Sequence, residues 1–189
     1  MLRFVTAALV FLGLSLPAHA HIGLHHVFSF VTGLEHPVSG LDHLAAMIAV
    51  GVWAAIAGGR RLWLWPLAFV SAMLAGGALG FAGFSIPFVE PAIAASVVIL
   101  GLLVALMVKA PASAGAVLIA AFGIVHGYAH GSEAPAAGWP GYAAGFMVAT
   151  AALHAVGIGL GLGAARMARI VPRVLGLATA AAGVFVLVQ

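Results

Sequence analysis

The chain has 189 residues, of which 65% are hydrophobic and only 6% are charged, and its mean hydropathy is +1.23. Soluble domains carry about 25% charged residues, so this chain cannot cover a water-facing surface with charged groups. The composition excludes an ordinary soluble domain and predicts a multi-pass membrane protein. Because there is no cysteine, disulfides, thiolate metal sites and thiol catalysis are excluded as well. The nine histidines are the main candidates for chemistry.

Residues 1–20 have the three parts of a secretory signal peptide. Arg3 precedes an apolar run from Phe4 to Leu16, and Ala18-His19-Ala20 fits the A-x-A cleavage pattern. The apolar run would extend only about 20 Å as a helix, which is too short for a hydrocarbon core of about 30 Å. We therefore expect a cleavable signal peptide over residues 1–20 and a single membrane domain over residues 21–189.

The expected mature N-terminus carries three histidines, His21, His25 and His26. A free α-amine beside an imidazole is a potential chelating pair, which makes this segment a candidate metal-binding site at the periplasmic mouth of the protein. The other interpretation is a solvated polar tail.

Hydropathy, together with the positions of proline, glycine and charge, predicts six transmembrane helices. They lie near 37–57, 62–82, 91–108, 112–131, 140–163 and 172–188. Proline occurs at the start of four of these spans, where its missing N–H is harmless: Pro37, Pro91, Pro140 and Pro172. The expected fold class is an all-α integral membrane protein, a six-transmembrane-helix bundle after the signal peptide.

The charged residues predict how the bundle is oriented. Six alternating spans place all basic residues after Arg3 on one side, which the positive-inside rule assigns to the cytoplasm: Arg60, Arg61, Lys109, Arg166, Arg169 and Arg173. Glu35, Glu90 and Glu133 fall in or beside the opposite loops. We expect a bacterial-type inner membrane protein whose mature N-terminus and C-terminus are periplasmic.

The predicted loops are short, so the chain has no extramembrane domain for ATP or nucleic acid, and its surroundings are membrane lipid. Two glycine groups suit close helix packing, within one chain or between copies in a homo-oligomer. They are Gly76, Gly77 and Gly80, and Gly157, Gly159, Gly161 and Gly163.

Ionisable residues inside a bilayer cost about 2.5 to 3.5 kcal/mol each on insertion scales, so each one needs an explanation. The first cluster runs from His36 to His43 and includes Asp42. If Pro37 begins the helix, Asp42 and His43 lie about 8 to 9 Å below its start. His36 would then lie about 10 Å from His43 along a continuous helix, too far to share a metal ion unless this segment folds back.

The second cluster lies at the outer end of the predicted fourth span. His126 and His130 are spaced i,i+4 and share one helix face, and Glu133 extends that face. His154 is isolated near the middle of the fifth span, where a structural role is as probable as a functional one. Imidazole nitrogens with one carboxylate suit borderline divalent ions such as Ni²⁺, Co²⁺ or Zn²⁺.

These two motifs resemble those of the HupE/UreJ family of nickel and cobalt permeases. The resemblance rests on His36-Pro37-x-x-Gly40-x-Asp42-His43 and His126-Gly127-x-Ala129-His130-Gly131-x-Glu133, and it covers essentially the whole chain. It implies that His36, Asp42, His43, His126 and Glu133 are needed for transport, and it extends to His130 and His154. It also implies a role as an accessory protein that supplies metal for hydrogenase or urease maturation.

The function we expect is import of Ni²⁺, or Co²⁺, from the periplasm to the cytoplasm, driven by the membrane potential. Asp42, His43, His126 and His130 would bind the ion, with no ATP, no organic cofactor and no enzymatic activity. Three alternatives remain: an intramembrane metal-dependent hydrolase using Ser39 or Ser132, a haem-binding electron carrier, and a metal sensor or proton-coupled carrier.

Overall fold

The computed structural model describes residues 30–134, 138–165 and 170–189. These residues form seven α-helices and no strand. The helices are α1 (Phe30–Ser39), α2 (Leu41–Ala57), α3 (Arg61–Phe81), α4 (Val89–Ala105), α5 (Ala112–Glu133), α6 (Trp139–Ala165) and α7 (Ile170–Leu187). The predicted signal peptide, the histidines His21, His25 and His26, and the arginines Arg166 and Arg169 lie outside the described residues.

Length and composition are those of a multi-pass membrane protein. Four helices, α3, α5, α6 and α7, are long and apolar enough to cross a membrane, and α1 with α2 makes a fifth if the bent pair is one span. The remaining helix, α4, is apolar but has only 17 residues. Large apolar side chains are exposed on the outside of the bundle, for example Trp63 at 75% and Val117 at 71%. Such a surface is suited to lipid as its solvent.

The prediction of one continuous first span beginning at Pro37 is wrong. The chain is already helical at Phe30, Pro37 lies inside this helix, and the chain bends by 86° between α1 and α2. Pro37 has no N–H to donate to the carbonyl of Gly33, which weakens the last turn of α1. Gly40 then takes an extended conformation (φ −108°, ψ 130°) and α2 starts afresh at Leu41.

Glycine brings the helices together in pairs. A Cβ atom added to Gly76 or Gly80 of α3 would overlap the backbone of α5, and one added to Gly127 or Gly131 of α5 would overlap the backbone of α3. The contacts advance in the same direction along both chains, so α3 and α5 run parallel. These residues form small-xxx-small patterns, which let two backbones approach closely.

Close contacts at glycine also join two further helix pairs. Gly51 of α2 packs on the backbone at His154 and Ile158, and Gly157 of α6 packs on Ile48, so α2 and α6 are parallel. Gly101 of α4 and Gly176 of α7 make an antiparallel pair. The predicted packing role therefore applies to Gly157 and Gly161, whereas a Cβ atom added to Gly159 or Gly163 would meet no described atom of another helix within 4 Å.

These directions place the basic residues together. The loops that join α2 to α3 and α4 to α5 meet where the Arg61 Nε atom donates to the Ala110 carbonyl at 3.0 Å. The buried indoles of Trp53 and Trp65 donate to Val108 and Ala112 of the same connection. We call this the basic end of the bundle. The opposite end, which holds the start of α2 and the end of α5, is the histidine end.

Candidate metal site

The start of α2 holds an aspartate and a histidine as a hydrogen-bonded pair. The Asp42 Oδ1 atom accepts the backbone N–H and the Nδ1–H of His43, both at 2.8 Å. A carboxylate in the first turn of a helix also offsets the partial positive charge of that terminus. A Cβ atom at Gly40 would lie 2.8 Å from Asp42 Oδ1, so a side chain there would collide with the pair. Gly40 therefore permits the bend between α1 and α2 and leaves space for the Asp42–His43 pair.

The second face of this site comes from α5. The Nε2 atom of His130 lies 2.6 Å from Nε2 of His43, and the two rings have centroids 4.4 Å apart. Both side chains are buried. Because Asp42 accepts the Nδ1–H of His43, the Nε2 of His43 carries a lone pair and His130 donates its own Nε2–H to it. The remaining nitrogen of His130, Nδ1, is buried without a hydrogen-bond partner.

The bend at Gly40 folds His36 back onto the same site. Its ring centroid lies 4.4 Å from that of His130 and 6.1 Å from that of His43. Tyr142 and Phe146 of α6 pack beside it at 5.7 and 5.8 Å. The separation of about 10 Å expected for a continuous helix does not apply, and His36 joins the cluster.

His126 lies one turn deeper than His130 on the same face of α5. Its ring is fully buried and its centroid lies 5.0 Å from that of His43. The Nε2 atom of His126 lies 2.9 Å from the hydroxyl of Ser96 in α4, and its Nδ1 atom has no partner. Four imidazoles and one carboxylate from α1, α2 and α5 thus form a chain of contacts that runs from the half-buried His36 and Asp42 to the fully buried His126. We call His36, Asp42, His43, His126 and His130 the histidine cluster.

Two predicted site residues lie apart from this cluster. Glu133 is exposed at the end of α5, beyond the last turn that contributes to the cluster. His154 is buried in α6, and neither of its ring nitrogens has a hydrogen-bond partner. The ring of Phe69 contacts both the cluster and His154, with its centroid 5.6 Å from His126 and 5.2 Å from His154.

The histidine cluster as it stands is closed. Among the described residues, no three His, Asp or Glu side chains are arranged to hold one metal ion together. A metal ion with M–N bonds of about 2.0 to 2.1 Å needs its two nitrogens more than about 3 Å apart, so His43 and His130 must separate to admit one. A cavity of about 20 Å³ lies beside His130, between Met73, Tyr142 and Met147. It has room for roughly one water molecule.

Several residues around the cluster were missed in the sequence. Ser96 is a single hydroxyl in the apolar run of α4, and Phe69 and Phe146 are ordinary apolar residues of long hydrophobic helices. Their contacts with histidines join helices that are far apart in sequence. The lone polar residue in the α4 run is the one signal that could have pointed to Ser96.

Comparison with known proteins identifies the family. The sequence model described as HupE / UreJ protein matches residues 9–186. The chain is 47% identical over 186 residues to Protein HupE of Rhizobium leguminosarum bv. viciae, and the match covers 97% of each chain. No solved structure matches the chain. The histidine motifs, the helical membrane fold and these matches together show that the chain belongs to the HupE/UreJ family.

Proposed function

We propose that this protein is a permease that carries Ni²⁺, or Co²⁺, through the histidine cluster from the periplasm to the cytoplasm. The observation that carries the proposal is the convergence of four imidazoles and one carboxylate inside a bundle whose exterior is apolar. Ionisable residues buried in a membrane protein mark ion pathways more often than structural sites.

The ligand set supports a borderline divalent ion. Imidazole nitrogens suit Ni²⁺, Co²⁺ and Zn²⁺, whereas Mg²⁺ and Ca²⁺ prefer more oxygen ligands than Asp42 supplies. The nitrogens alone would suit all three transition metals. Membership of the HupE/UreJ family favours nickel, with cobalt as the second candidate and zinc as a competitor, and it also favours an accessory role in hydrogenase or urease maturation.

The ion is bound in steps that begin at the histidine end. His36, the most exposed histidine of the cluster, takes the ion first, with His21, His25 and His26 as further ligands at the mouth. The ion then separates the rings of His43 and His130 and binds the lone pair of each neutral ring, while His130 keeps its one ring proton on the nitrogen that does not bind. The ionised Asp42 offsets part of its charge, and movement past Phe69 brings it to His154 as the next ligand inward.

The driving force is the membrane potential. We place the histidine end at the periplasmic side of the inner membrane, because the basic end has the charges that the positive-inside rule assigns to the cytoplasm. A divalent ion moving inward then gains about 4.6 kcal/mol per 100 mV, twice the value for a single charge. No ATP is needed. Binding must also stay weak enough for release.

An intramembrane hydrolase receives less support. The hydroxyls of Ser39 and Ser132 donate to carbonyls of their own helices, at His36 and Ala129, instead of to a histidine base. The hydroxyl of Ser96 does contact a histidine, but it donates to the Ile93 carbonyl and accepts from Nε2 of His126, so His126 does not act as its base. A haem carrier is also disfavoured, since imidazole rings only 4.4 to 5.0 Å apart leave no space for a macrocycle between them.

The test is time-dependent uptake of Ni²⁺, with Co²⁺ and Zn²⁺ in parallel, into proteoliposomes with an inside-negative potential. We expect potential-dependent accumulation of nickel by the wild type and its loss in Asp42→Ala and in His126→Ala. Thr179→Val is the matched control, because Thr179 is exposed on α7 and bonds only to the Leu175 carbonyl. It should transport like the wild type.

The result also separates the alternatives. Wild-type protein that binds metal but moves none of the three ions would overturn the permease and favour a sensor. A visible haem band in the purified protein would favour the electron carrier. Uptake that is unchanged in both cluster variants would place the pathway elsewhere in the bundle.

A further inference from the structure

Ser96 lies in the middle of α4 and is fully buried. Its hydroxyl oxygen lies 2.7 Å from the carbonyl oxygen of Ile93 and 2.9 Å from Nε2 of His126. Ser96 is therefore the residue by which α4 reaches the histidine cluster. Among the described residues, its hydroxyl has no other hydrogen-bond partner.

The hydroxyl has a single proton, and the two neighbours compete for it. The Ile93 carbonyl can only accept, whereas Nε2 of His126 can accept or donate according to the tautomer of the ring. If Ser96 donates to Ile93, His126 donates its Nε2–H to the serine oxygen, and every donor is satisfied. If Ser96 instead donates to His126, the ring carries its proton on Nδ1, which has no acceptor.

Buried N–H groups without an acceptor are rarer and more costly than buried lone pairs without a donor. The first arrangement is therefore the stable one. It leaves Nδ1 of His126 as a bare lone pair in a buried site whose other members are the imidazoles of His43 and His130. Only such a deprotonated nitrogen can bind a metal ion without first losing a proton.

We propose that Ser96 is a positioning residue that holds His126 in its Nε2–H tautomer and so directs the lone pair of Nδ1 into the histidine cluster for a divalent metal ion. Metal-binding histidines generally donate their second ring nitrogen to a fixed acceptor, and Asp42 provides this acceptor for His43. Ser96 provides it for His126. The tautomer assignment stands on the hydrogen bonds alone, and the role toward metal rests on the proposed function.

The first test measures the tautomer without any metal. Protein labelled with ¹⁵N-histidine, in lipid bilayers at neutral pH, gives separate ¹⁵N signals for protonated and bare ring nitrogens, and His126→Gln identifies the signals of His126. We expect a bare Nδ1 and a protonated Nε2 in the wild type. Ser96→Ala should give a mixture of tautomers, and Ser96→Thr, which keeps the hydroxyl, should restore the wild-type signals. Ser96→Cys is the second variant if threonine does not fit.

The second test measures metal affinity by titrating the same variants with Co²⁺ and following its visible absorption. Loss of the fixed partner of a ligating histidine typically weakens metal binding about 10- to 100-fold, which we expect for Ser96→Ala. Ser96→Thr should recover most of this loss, and Thr179→Val should bind like the wild type.

A wild-type His126 protonated on Nδ1, or a tautomer that Ser96→Ala leaves unchanged, overturns the assignment. A changed tautomer with unchanged Co²⁺ affinity overturns the role toward metal. If the wild type binds Co²⁺ and responds to Ser96 as expected but transports no ion, the permease proposal fails and the positioning role stands.

Discussion

The Nε2 atoms of His43 and His130 lie 2.6 Å apart, although the two residues are 87 positions apart in the sequence. One proton joins them, because the other nitrogen of His43 already donates to Asp42. A metal ion can bind both rings only if this hydrogen bond breaks and each neutral ring offers its lone pair, with His130 keeping its one proton on the nitrogen that does not bind. A second proton on either ring would occupy the lone pair that the metal needs, so protonation to imidazolium competes with metal binding and gives uptake its pH dependence.

Uptake of Ni²⁺ should fall as the outer pH is lowered. Histidine changes its charge between about pH 5 and 8, and an imidazolium has no lone pair for a metal. Because burial disfavours the charged form of an imidazole, the measurement must extend below the range of an exposed histidine. At a fixed potential and a fixed inner pH, we expect the initial rate of uptake to drop by about tenfold or more as the outer pH is lowered from 7.5 to about 4. A rate that is independent of outer pH over this range would contradict metal binding by the cluster histidines.

Replacing Asp42 separates its charge from its hydrogen bond. Asp42→Asn keeps an oxygen that accepts the Nδ1–H of His43 but removes the negative charge, whereas Asp42→Ala removes both. We expect Co²⁺ affinity to fall in both variants, by about 10- to 100-fold for alanine and less for asparagine. Glu35→Gln is the control, since it removes an exposed carboxylate of α1 outside the cluster. If Asp42→Asn and Asp42→Ala lose the same Co²⁺ affinity, the charge of Asp42 alone accounts for its effect, and the hydrogen bond to His43 does not.

Much of this arrangement can be predicted from the sequence, because each helix is marked by an apolar run and each motif lies within one helix. The i,i+4 spacing alone places His126 and His130 on one face of α5. The position of His36 cannot be obtained in this way, since proline is as common in a first turn as near a break. Only the extended backbone at Gly40, which tertiary contacts select, folds His36 back onto His130.

Contacts between helices are the second feature that cannot be predicted from the sequence. The bond between Ser96 and His126 and the position of Phe69 beside His154 depend on how α3, α4, α5 and α6 rotate against one another. Hydrophobic periodicity gives no such rotation in a chain that is apolar on nearly all sides. The glycine patterns indicate that helices approach closely, but they leave the partner of each helix undetermined.

Alanine should have opposite effects at two glycines of the bundle. In Gly127→Ala the new methyl group would overlap the Met73 carbonyl, and overpacking of this kind costs about 1 to 3 kcal/mol. Gly159 has no neighbour within 4 Å, so Gly159→Ala should leave stability equal or slightly higher, because alanine is the better helix former. Thermal unfolding of both variants in detergent measures this difference. Equal melting temperatures would show that α3 and α5 do not pack through Gly127.

His154 gives the sharpest distinction between a structural and a functional histidine. Both of its ring nitrogens are buried, and the backbone of Thr150 one turn earlier is a weak partner at best, so an apolar side chain of similar size should change stability little there. If His154 is the inward ligand, His154→Leu should keep the Co²⁺ affinity of the outer cluster but lower Ni²⁺ uptake by about tenfold, equivalent to about 1.4 kcal/mol of barrier. The measurements are thermal unfolding, Co²⁺ titration and uptake on the same preparation. A less stable variant with unchanged uptake would instead assign His154 to the structure of α6, and the route past Phe69 would have to avoid it.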